Sequence, residues 1–179
     1  MIKTLLLAIC LSVIVSNTYA QNPIPVPGLN VHKMTGYWYL ILLYSPTAQA
    51  NLSCYFMVYN FTGNNIVVNQ SWDSNGSHYQ QTFTGTVSSQ NNAIWTINDV
   101  QQVWIAADLV NYAWAVQAWK NSQYCGILSR TPTLSDTLIN TQIALCKQQG
   151  YLMNANQTYR YPASGCSFPG DYEDNILYY

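Results

Sequence analysis

Hydrophobic and polar residues alternate along the chain from residue 36 to residue 130, which is the pattern of strands that bury one face. The alternation is broken by short segments rich in Asn, Asp, Ser and Gly, which are residues typical of turns. These breaks define eight predicted strands at 36–44, 53–61, 65–72, 77–87, 92–97, 102–108, 112–120 and 123–130. Because strands this close in sequence pair as antiparallel neighbours, the pattern predicts an all-β meander.

An eight-stranded meander either leaves two exposed edges or closes on itself. Closure removes both edges and encloses room for side chains or for one small ligand. The sequence therefore predicts an eight-stranded antiparallel up-and-down β-barrel.

A helix signal follows the last predicted strand. Ser135 is the predicted N-cap, Asp136 lies in the first turn, and Gly150 marks the C-terminus. The predicted helix covers about 136–149 and has one broad apolar face, made by Leu138, Ile139, Ile143 (or Gln142), Leu145 and Cys146. We expect this helix to pack on the outside of the barrel.

The seventh predicted strand indicates which of its faces points into the barrel. One face carries Tyr112, Trp114, Val116 and Ala118, and the other carries Ala113, Ala115, Gln117 and Trp119. Two alanines and a glutamine make a poor packed core but a good cavity wall, so we expect the second face to point inward. The first face would then lie outside, under the helix.

The N-terminus has the features of a cleaved signal peptide. Lys3 precedes an apolar run at 5–15, and small residues at 18–20 precede Gln21. The apolar run is shorter than the ~20 residues that cross a bilayer, so no permanent membrane anchor is predicted. A lipoprotein signal at Cys10 is the alternative, but the bulky Ile9 does not suit it. The predicted organisation is a signal peptide at 1–20, a barrel domain at 21–170 and an acidic, aromatic tail at 171–179 in a secreted protein.

Charged residues make up only 7% of the chain, and the formal net charge is −1. There is no basic run, so neither nucleic acid nor an anionic membrane is an expected partner. Asn-x-Ser/Thr sequons predict surface glycosylation at Asn51, Asn60, Asn69, Asn75 and Asn156.

Residue patterns for catalysis or metal binding are scarce. His32 and His78 have no Cys, Asp or Glu at ligand spacing, which argues against a metal site. No serine lies in a Gly-x-Ser-x-Gly setting. The sequence therefore predicts a protein without a cofactor that is not an enzyme.

Four cysteines remain after removal of the signal peptide: Cys54, Cys125, Cys146 and Cys166. An even number in an oxidising compartment predicts two disulfides. The residues alone leave three connectivities open.

Two segments at opposite ends of the strand region form a candidate structural pair. Gly36-Tyr37-Trp38-Tyr39 opens the first strand, and Ile127-Leu128-Ser129-Arg130 ends the last. A guanidinium stacked on an indole gains about 0.5–2 kcal/mol. We expect Trp38 to plug one end of the barrel and Arg130 to cover it.

These two segments and a third resemble the motifs of the lipocalins, and in particular the outer group that includes apolipoprotein D and the bacterial lipocalins. The three segments are 36–39, 104–113 and 127–134, and their order and spacing agree over about 33–166. The resemblance assigns structural roles to Gly36, Trp38, Asp108, Tyr112 and Arg130. The second motif departs from the family at Ala107 and Leu109, where Thr and Tyr are usual, so we expect its loop to be held differently.

The resemblance also implies a disulfide pairing. Cys54 occupies the place of the family cysteine that ties the second strand to the C-terminal segment, where Cys166 is the candidate partner. Cys125 and Cys146 would then link the last strand to the helix, if their Cα atoms lie about 4.4–6.8 Å apart. Two buried free thiols are the alternative for that second pair.

Strand parity and the strand orientation in the family together imply a mostly apolar ligand-binding set with a few polar tips. The set is Leu40, Leu42, Tyr55, Met57, Tyr59, Phe83, Val103, Ile105, Ala113, Ala115, Gln117 and Trp119. The resemblance implies a protein that binds and transports a small hydrophobic molecule, such as a fatty acid, sterol or retinoid. A lipid-modifying enzyme on the same barrel and a protein-interaction module with a filled barrel are the alternatives.

Overall fold

The computed structural model describes residues 22–47, 51–163 and 166. The predicted signal peptide and the tail at 171–179 lie outside the described residues. Within them, short 3-10 helices occupy Val31–Met34 and Ala155–Gln157. The strands and the α-helix are β1 Gly36–Tyr44, β2 Leu52–Thr62, β3 Asn65–Ser74, β4 Ser77–Val87, β5 Ile94–Ile97, β6 Val100–Ala107, β7 Trp114–Trp119, β8 Cys125–Ser129, α1 Asp136–Gln148 and β9 Thr158–Arg160.

Strands β1 to β8 form a closed antiparallel barrel, which confirms the predicted fold. Consecutive strands pair in order, and β1 pairs with both β2 and β8 to close the sheet. The end that contains Trp38 and the loops after β2, β4 and β6 is called the closed end, and the opposite end is the open end. Strand β7 begins at Trp114 rather than at residue 112, because Tyr112 turns the chain with a φ of 55°.

The C-terminal segment completes the wall of the barrel near the open end. β1 pairs with β2 only over 36–39, and its second half, Leu42 to Tyr44, pairs with β9 instead. Tyr161 N donates to Ile41 O, and Cys54 N donates to Pro162 O at 2.9 Å. The segment therefore lies between β1 and β2 and brings Tyr161 into the inner core.

Both disulfides join the C-terminal half to the barrel. Cys54 bonds Cys166 with a Cα–Cα distance of 5.5 Å, and Cys125 bonds Cys146 of α1 with a Cα–Cα distance of 6.5 Å. This is the pairing that the resemblance implies.

Helix α1 covers the outer face of the barrel. Ser135 caps it, since its side chain accepts a hydrogen bond from Leu138 N at 3.3 Å. The buried helix residues Ile139 and Cys146 pack with outward side chains of the strands, and Val116 and Trp114 belong to this outer cluster as expected. The outer cluster is thus a second hydrophobic core, separate from the barrel interior.

A β-bulge in β1 changes which of its side chains point inward. In β1 the register shifts between Leu40 and Leu42, so Leu40 lies in the inner core and Leu42 in the outer cluster. A bulge adds one residue to one strand and exchanges its faces beyond that point. Leu43 therefore points inward, and the prediction for Leu42 is wrong.

The predicted orientation of β6 is also wrong. Val103 and Ile105 pack in the outer cluster beneath the helix, while Trp104 is fully buried in the inner core. Val103 and Ile105 supply part of the apolar surface on which the helix packs, and the larger Trp104 indole fills the barrel interior. Ala113 is exposed in the loop before β7 and does not line the interior, because the strand begins one residue later.

The closed end is sealed by the predicted Trp–Arg pair. The Arg130 guanidinium lies 4.0 Å from the centre of the Trp38 ring, and the indole Nε1 donates to Met34 O at 2.8 Å. Arg130 also donates to the carbonyls of Tyr37, Lys33 and Thr35 at 2.6, 2.7 and 2.9 Å. One side chain thus ties the end of β8 to the start of β1 and to the 3-10 helix before it. Gly36 permits the sharp entry into β1 because its φ is 94°, a value that L side chains rarely adopt.

The loop of the second motif is held by Asp108. Its carboxylate accepts hydrogen bonds from the backbone N–H groups of Val110 and Asn111, each at 3.1 Å. The bond from Asn111 is the main cause that lowers the pKa of Asp108. Tyr112 N donates to Asp108 O, and the Tyr112 hydroxyl accepts from Asn30 N at 2.7 Å. Backbone contacts thus hold the loop although Thr and Tyr are replaced by Ala107 and Leu109.

Trp38→Ala should destabilise the fold, because Trp38 has no exposed surface and its removal leaves a large cavity. We expect a loss of about 3–5 kcal/mol in unfolding free energy by chemical denaturation. Val110→Ala in the neighbouring loop is the control, since Val110 is 77% exposed; its effect should stay within about 0.5 kcal/mol. Equal stability of the two variants would contradict the assignment of the closed end.

Candidate functional site

The half of the barrel next to the closed end is filled by large aromatic side chains. Trp38, Tyr59, Trp95 and Trp104 each have at most 1% of their surface exposed. The Trp95 and Trp104 ring centres are 4.8 Å apart, and Tyr59 meets the two rings edge-on at 5.3 and 5.9 Å. Side chains with so little free surface leave no room for a ligand among them. We call this region the filled half.

Several aromatic side chains towards the open end retain free surface. Tyr55 and Phe83 pack against the inner core, and Trp119 shares a face of β7 with Ala115 and Gln117; all three are half-buried. The same region contains four further aromatic residues that the sequence prediction did not include. We call the whole set the mouth: Tyr55, Trp72, Tyr79, Phe83, Trp119, Tyr124 and Tyr161.

One wall of the mouth is a ladder of four stacked rings. Tyr161, Tyr55, Trp72 and Tyr79 stack in that order, with successive centroid distances of 5.9, 5.6 and 5.9 Å and interplanar angles of 26°, 15° and 12°. They come from the C-terminal segment, β2, β3 and β4. Exposure increases along the ladder from Tyr161, which is buried, to Tyr79, which is 46% exposed. The ladder therefore runs from the inner core to solvent.

A second aromatic pair belongs to the same end of the barrel. Trp119 and Tyr124 stack with their ring centres 3.9 Å apart and an angle of 8° between the planes. The Trp119 Nε1–H and the Tyr161 hydroxyl are buried without a hydrogen-bond partner, as is the Trp104 Nε1–H in the filled half. Unpaired buried donors cost free energy. A ligand that offers a hydrogen-bond acceptor would relieve that cost.

Glutamines supply most of the polar atoms of the interior. Gln117 Nε2 donates to Gln102 Oε1 at 2.7 Å, and both residues are buried. The Tyr55 hydroxyl donates to Gln70 Oε1 at 2.7 Å. Gln117 is therefore already satisfied by a protein partner, unlike Trp119 Nε1.

The ionisable groups among the residues of the mouth are tyrosines. Burial raises the pKa of Tyr161 to about 12, and a smaller effect comes from Tyr159. Burial is also the main cause that raises the pKa values of Tyr55 and Tyr124 far above their usual value. The half-buried guanidinium of Arg130 is bonded to carbonyls at the closed end. The mouth therefore offers an uncharged surface.

The structure divides the predicted ligand-binding residues into three groups. In the mouth lie Tyr55, Phe83 and Trp119. In the packed interior lie Leu40, Met57, Tyr59, Ala115 and Gln117. Outside the barrel interior lie Leu42, Val103, Ile105 and Ala113.

Sequence reasoning missed Trp72 and Tyr79, although the chain contains a signal for them. Asn75 and Gly76 form a two-residue turn with φ values of 51° and 77°, and such a turn fixes the register of a hairpin. That register places Trp72 opposite Tyr79. The prediction ended the third strand at residue 72 and did not use this pairing.

The outer face of the β3–β4 hairpin joins a serine, a histidine and an aspartate by hydrogen bonds. Ser71 Oγ lies 3.0 Å from His78 Nε2, and His78 Nδ1 lies 2.7 Å from Asp73 Oδ1. Gln80 Nε2 contacts the same His78 nitrogen at 3.2 Å. Ser71 is only 3% exposed, so its hydroxyl is closed to an acyl substrate. These hydrogen bonds link the two strands, and they do not present an accessible nucleophile.

The described residues have other surface features besides the mouth. A surface hollow of about 580 Å³ at the closed end is lined by residues 28–32, 63–64 and Asn92. No group of three or more His, Cys, Asp or Glu comes together in the described part of the chain. No helix there is both long enough and apolar enough to cross a membrane. All five sequon asparagines are exposed.

Comparison with protein families matches most of the barrel. The family described as "Lipocalin / cytosolic fatty-acid binding protein family" matches residues 35–161. The chain belongs to this family. No curated protein matches the sequence at a significant level.

Solved structures similar to this lipocalin share its fold at low sequence identity. Lobster apocrustacyanin A1 is 17% identical over 74% of this chain and 79% of its own, with a TM-score of 0.58. Insecticyanin from the tobacco hornworm Manduca sexta is 15% identical over 82% and 87%, with a TM-score of 0.62. The siderocalin Ex-FABP, described as functioning through dual ligand specificities, is 15% identical over 73% and 94%, with a TM-score of 0.61.

The buried tyrosines should make this lipocalin sensitive to alkali. Tyr55, Tyr59, Tyr124 and Tyr161 have raised pKa values in the folded state, mainly because of burial. In the unfolded chain they ionise near pH 10, so their contribution to stability is complete below that pH and is lost as the pH rises. Each should cost about 1.4 kcal/mol per pH unit above 10 until its folded pKa is reached.

We expect phenolate absorbance at 295 nm to include a cooperative step that coincides with the loss of circular dichroism. Gradual ionisation of every tyrosine near pH 10 in a protein that stays folded would contradict the packing of these side chains.

Proposed function

We propose that this protein is a secreted lipocalin that binds a small, uncharged, ring-containing hydrophobic molecule in the mouth of its barrel. The main support for this proposal is that the aromatic side chains at the two ends of the barrel interior differ in how much of their surface is exposed. In the filled half, Trp38, Tyr59, Trp95 and Trp104 are each at most 1% exposed, whereas rings of the mouth are half-buried. Two buried donors of the mouth lack a partner, as does Trp104 Nε1 in the filled half. A ligand that covers these rings would bury apolar surface worth about 25 cal/mol per Å².

The depth of the site favours a ligand that lies across the mouth over one that inserts a long chain into the barrel. Trp95, Trp104 and Tyr59 occupy the volume below the mouth, so a linear acyl tail has no channel to enter. Planar conjugated groups suit the ladder because offset stacking of aromatic rings adds about 0.5–1.5 kcal/mol beyond burial. A retinoid-like conjugated ligand therefore fits better than a fatty acid or a saturated sterol.

The electrostatics of the mouth favour an uncharged ligand. None of the described residues that define the mouth is a Lys or an Arg, Arg130 is engaged at the closed end, and Lys120, which follows Trp119 in the chain, is exposed to solvent. Burial of an unpaired carboxylate costs several kcal/mol or forces its protonation. A neutral carbonyl, by contrast, can accept the hydrogen bonds that Trp119 Nε1 and the Tyr161 hydroxyl lack.

Secretion is part of the proposal and rests on the N-terminal sequence and the disulfides. Residues 3–20 have the pattern of a signal peptide. Two disulfides are typical of proteins from oxidising compartments. The exposed sequons are compatible with glycosylation along that route.

Retinoic acid and its methyl ester form a matched pair of probes, since they share a ring system and a carbonyl but differ in charge. At pH 7.5 we expect the ester to bind at least about tenfold more tightly, a difference of about 1.4 kcal/mol. Quenching of tryptophan fluorescence measures both dissociation constants. Tighter binding of the acid would contradict a neutral site, and no saturable binding of either probe would contradict the proposed function.

Two tryptophan variants separate the mouth from the outer face in the same assay. Trp72→Ala removes a ring from the ladder, whereas Trp114→Ala removes a ring from the outer cluster under α1. We expect Trp72→Ala to weaken binding of the ester about tenfold and Trp114→Ala to leave it within about twofold. The reverse outcome would place the ligand outside the barrel.

A protein-interaction module with a filled barrel is the second candidate, and the packing of the filled half favours it. The same titration decides between the two. A module of this kind would bind neither retinoid. The Trp72→Ala variant would then show the same absence of binding as the unsubstituted protein.

A further inference from the structure

Within the part of the chain that the structure describes, strand β4 has a free edge along most of its length. It pairs with β3 from Ser77 to Thr86, but it pairs with β5 only from Gly85 to Val87. Among the residues that the structure describes, no strand covers the edge between residues 77 and 83. Residues 77–82 are all exposed, so the tip of the β3–β4 hairpin projects beyond the barrel wall.

The hairpin register shows which backbone groups point to the free edge. Ser74 and Ser77 flank the two-residue turn and form its closing hydrogen-bonded pair. Hydrogen-bonded and non-hydrogen-bonded pairs alternate from there along the ladder. The N–H and C=O groups of His78, Gln80 and Thr82 therefore point away from β3, towards solvent.

This edge lacks the features that usually prevent strand pairing. Native edge strands are commonly protected by Lys, Pro, inward charges or bulges. Residues 77–83 contain no Lys, Arg, Asp, Glu or Pro, and the register with β3 is continuous from 65 to 74. His78 bonds Asp73 of its own hairpin. The edge is thus straight, polar and almost uncharged.

The aromatic ladder ends at this edge. Each neighbouring strand contributes one ring, and the ring spacing of 5.6–5.9 Å is close to the distance between paired strands. Tyr79 is the last ring, with Trp72 on one face and 46% of its surface exposed. A further strand that placed an aromatic residue opposite Tyr79 would continue the ladder.

We propose that the free edge of β4 pairs antiparallel with the same edge of a second copy of this chain, with the two-fold axis at Tyr79. Tyr79 then faces the partner's Tyr79 in a non-hydrogen-bonded pair, and the two ladders join into one. His78 pairs with the partner's Gln80, and Gln80 with the partner's His78, so that their backbone groups form hydrogen bonds.

A second copy suits the edge because one symmetric contact covers both unpaired edges. The chain itself supplies the aromatic residue that the end of the ladder would accept. Strand β5 covers the edge from Gly85 onward, so the contact is confined to the tip. An interface this short is small, and we expect a weak, concentration-dependent dimer. This inference does not depend on ligand binding in the mouth.

Sedimentation tests the dimer directly. After removal of any glycans at Asn69 and Asn75, the weight-average mass should rise towards twice the monomer value between about 10 μM and about 1 mM protein. Gln80→Pro removes an edge N–H without breaking a bond to β3 and should abolish this rise. Gln80→Lys should do the same if the proline variant fails to fold. A constant monomer mass, or a dimer unaffected by a folded Gln80 variant, would overturn the proposal.

Cysteine trapping tests the register. In the proposed pairing the Cα atoms of residue 79 and its symmetry mate are about 4.5 Å apart, a distance that permits a disulfide. Tyr79→Cys should therefore form a covalent dimer under mild oxidation. Gln81→Cys on the same face is the control, because two copies of position 81 would lie roughly 13 Å apart by strand geometry. Equal trapping of both variants, or faster trapping at position 81, would overturn the two-fold axis at Tyr79.

Discussion

Close packing of aromatic rings in the barrel interior is the constraint on which the functional interpretation depends. Trp95 and Trp104 lie 4.8 Å apart, with Tyr59 edge-on to both, and Trp38 closes the end beneath them. Inserting atoms into a well-packed interior destabilises the fold, just as removing atoms from it does. The barrel therefore has a closed, rigid half and a half where rings retain free surface. The inserted C-terminal segment belongs to the second half, because it carries Tyr161 into the wall there.

The fold was largely predictable from the sequence. Period-2 alternation and Asn/Gly turns define strands without information from distant residues, and Ser135 marks the start of the helix by its own chemistry. Trp38 and Arg130 are separated by about ninety residues, yet the geometry of a closed meander brings the start of β1 beside the end of β8. Local pattern and closure thus predict the fold together.

The candidate site was much less predictable, because it depends on which face of each strand points into the barrel. A bulge near Ile41 exchanges the faces of β1, and nothing in the alternation around it marks the extra residue. Val103 and Ile105 look suited to a lipid pocket, yet the helix requires an apolar surface outside and the larger Trp104 fills the inside. The insertion of residues 158–162 between two strands depends on contacts that no local pattern contains.

The six tryptophans provide the most direct test of the central claim, because their indole N–H signals in NMR report the mouth, the filled half and the outer face separately. During titration with retinoic acid methyl ester, the signals of Trp72 and Trp119 should shift, since both rings lie in the mouth. Those of Trp38, Trp95 and Trp104 should stay unchanged because their surroundings are filled, and Trp114 on the outer face is the internal control. Large shifts at Trp95 and Trp104 with none at Trp72 would show that the ligand enters the filled half, which would contradict the account.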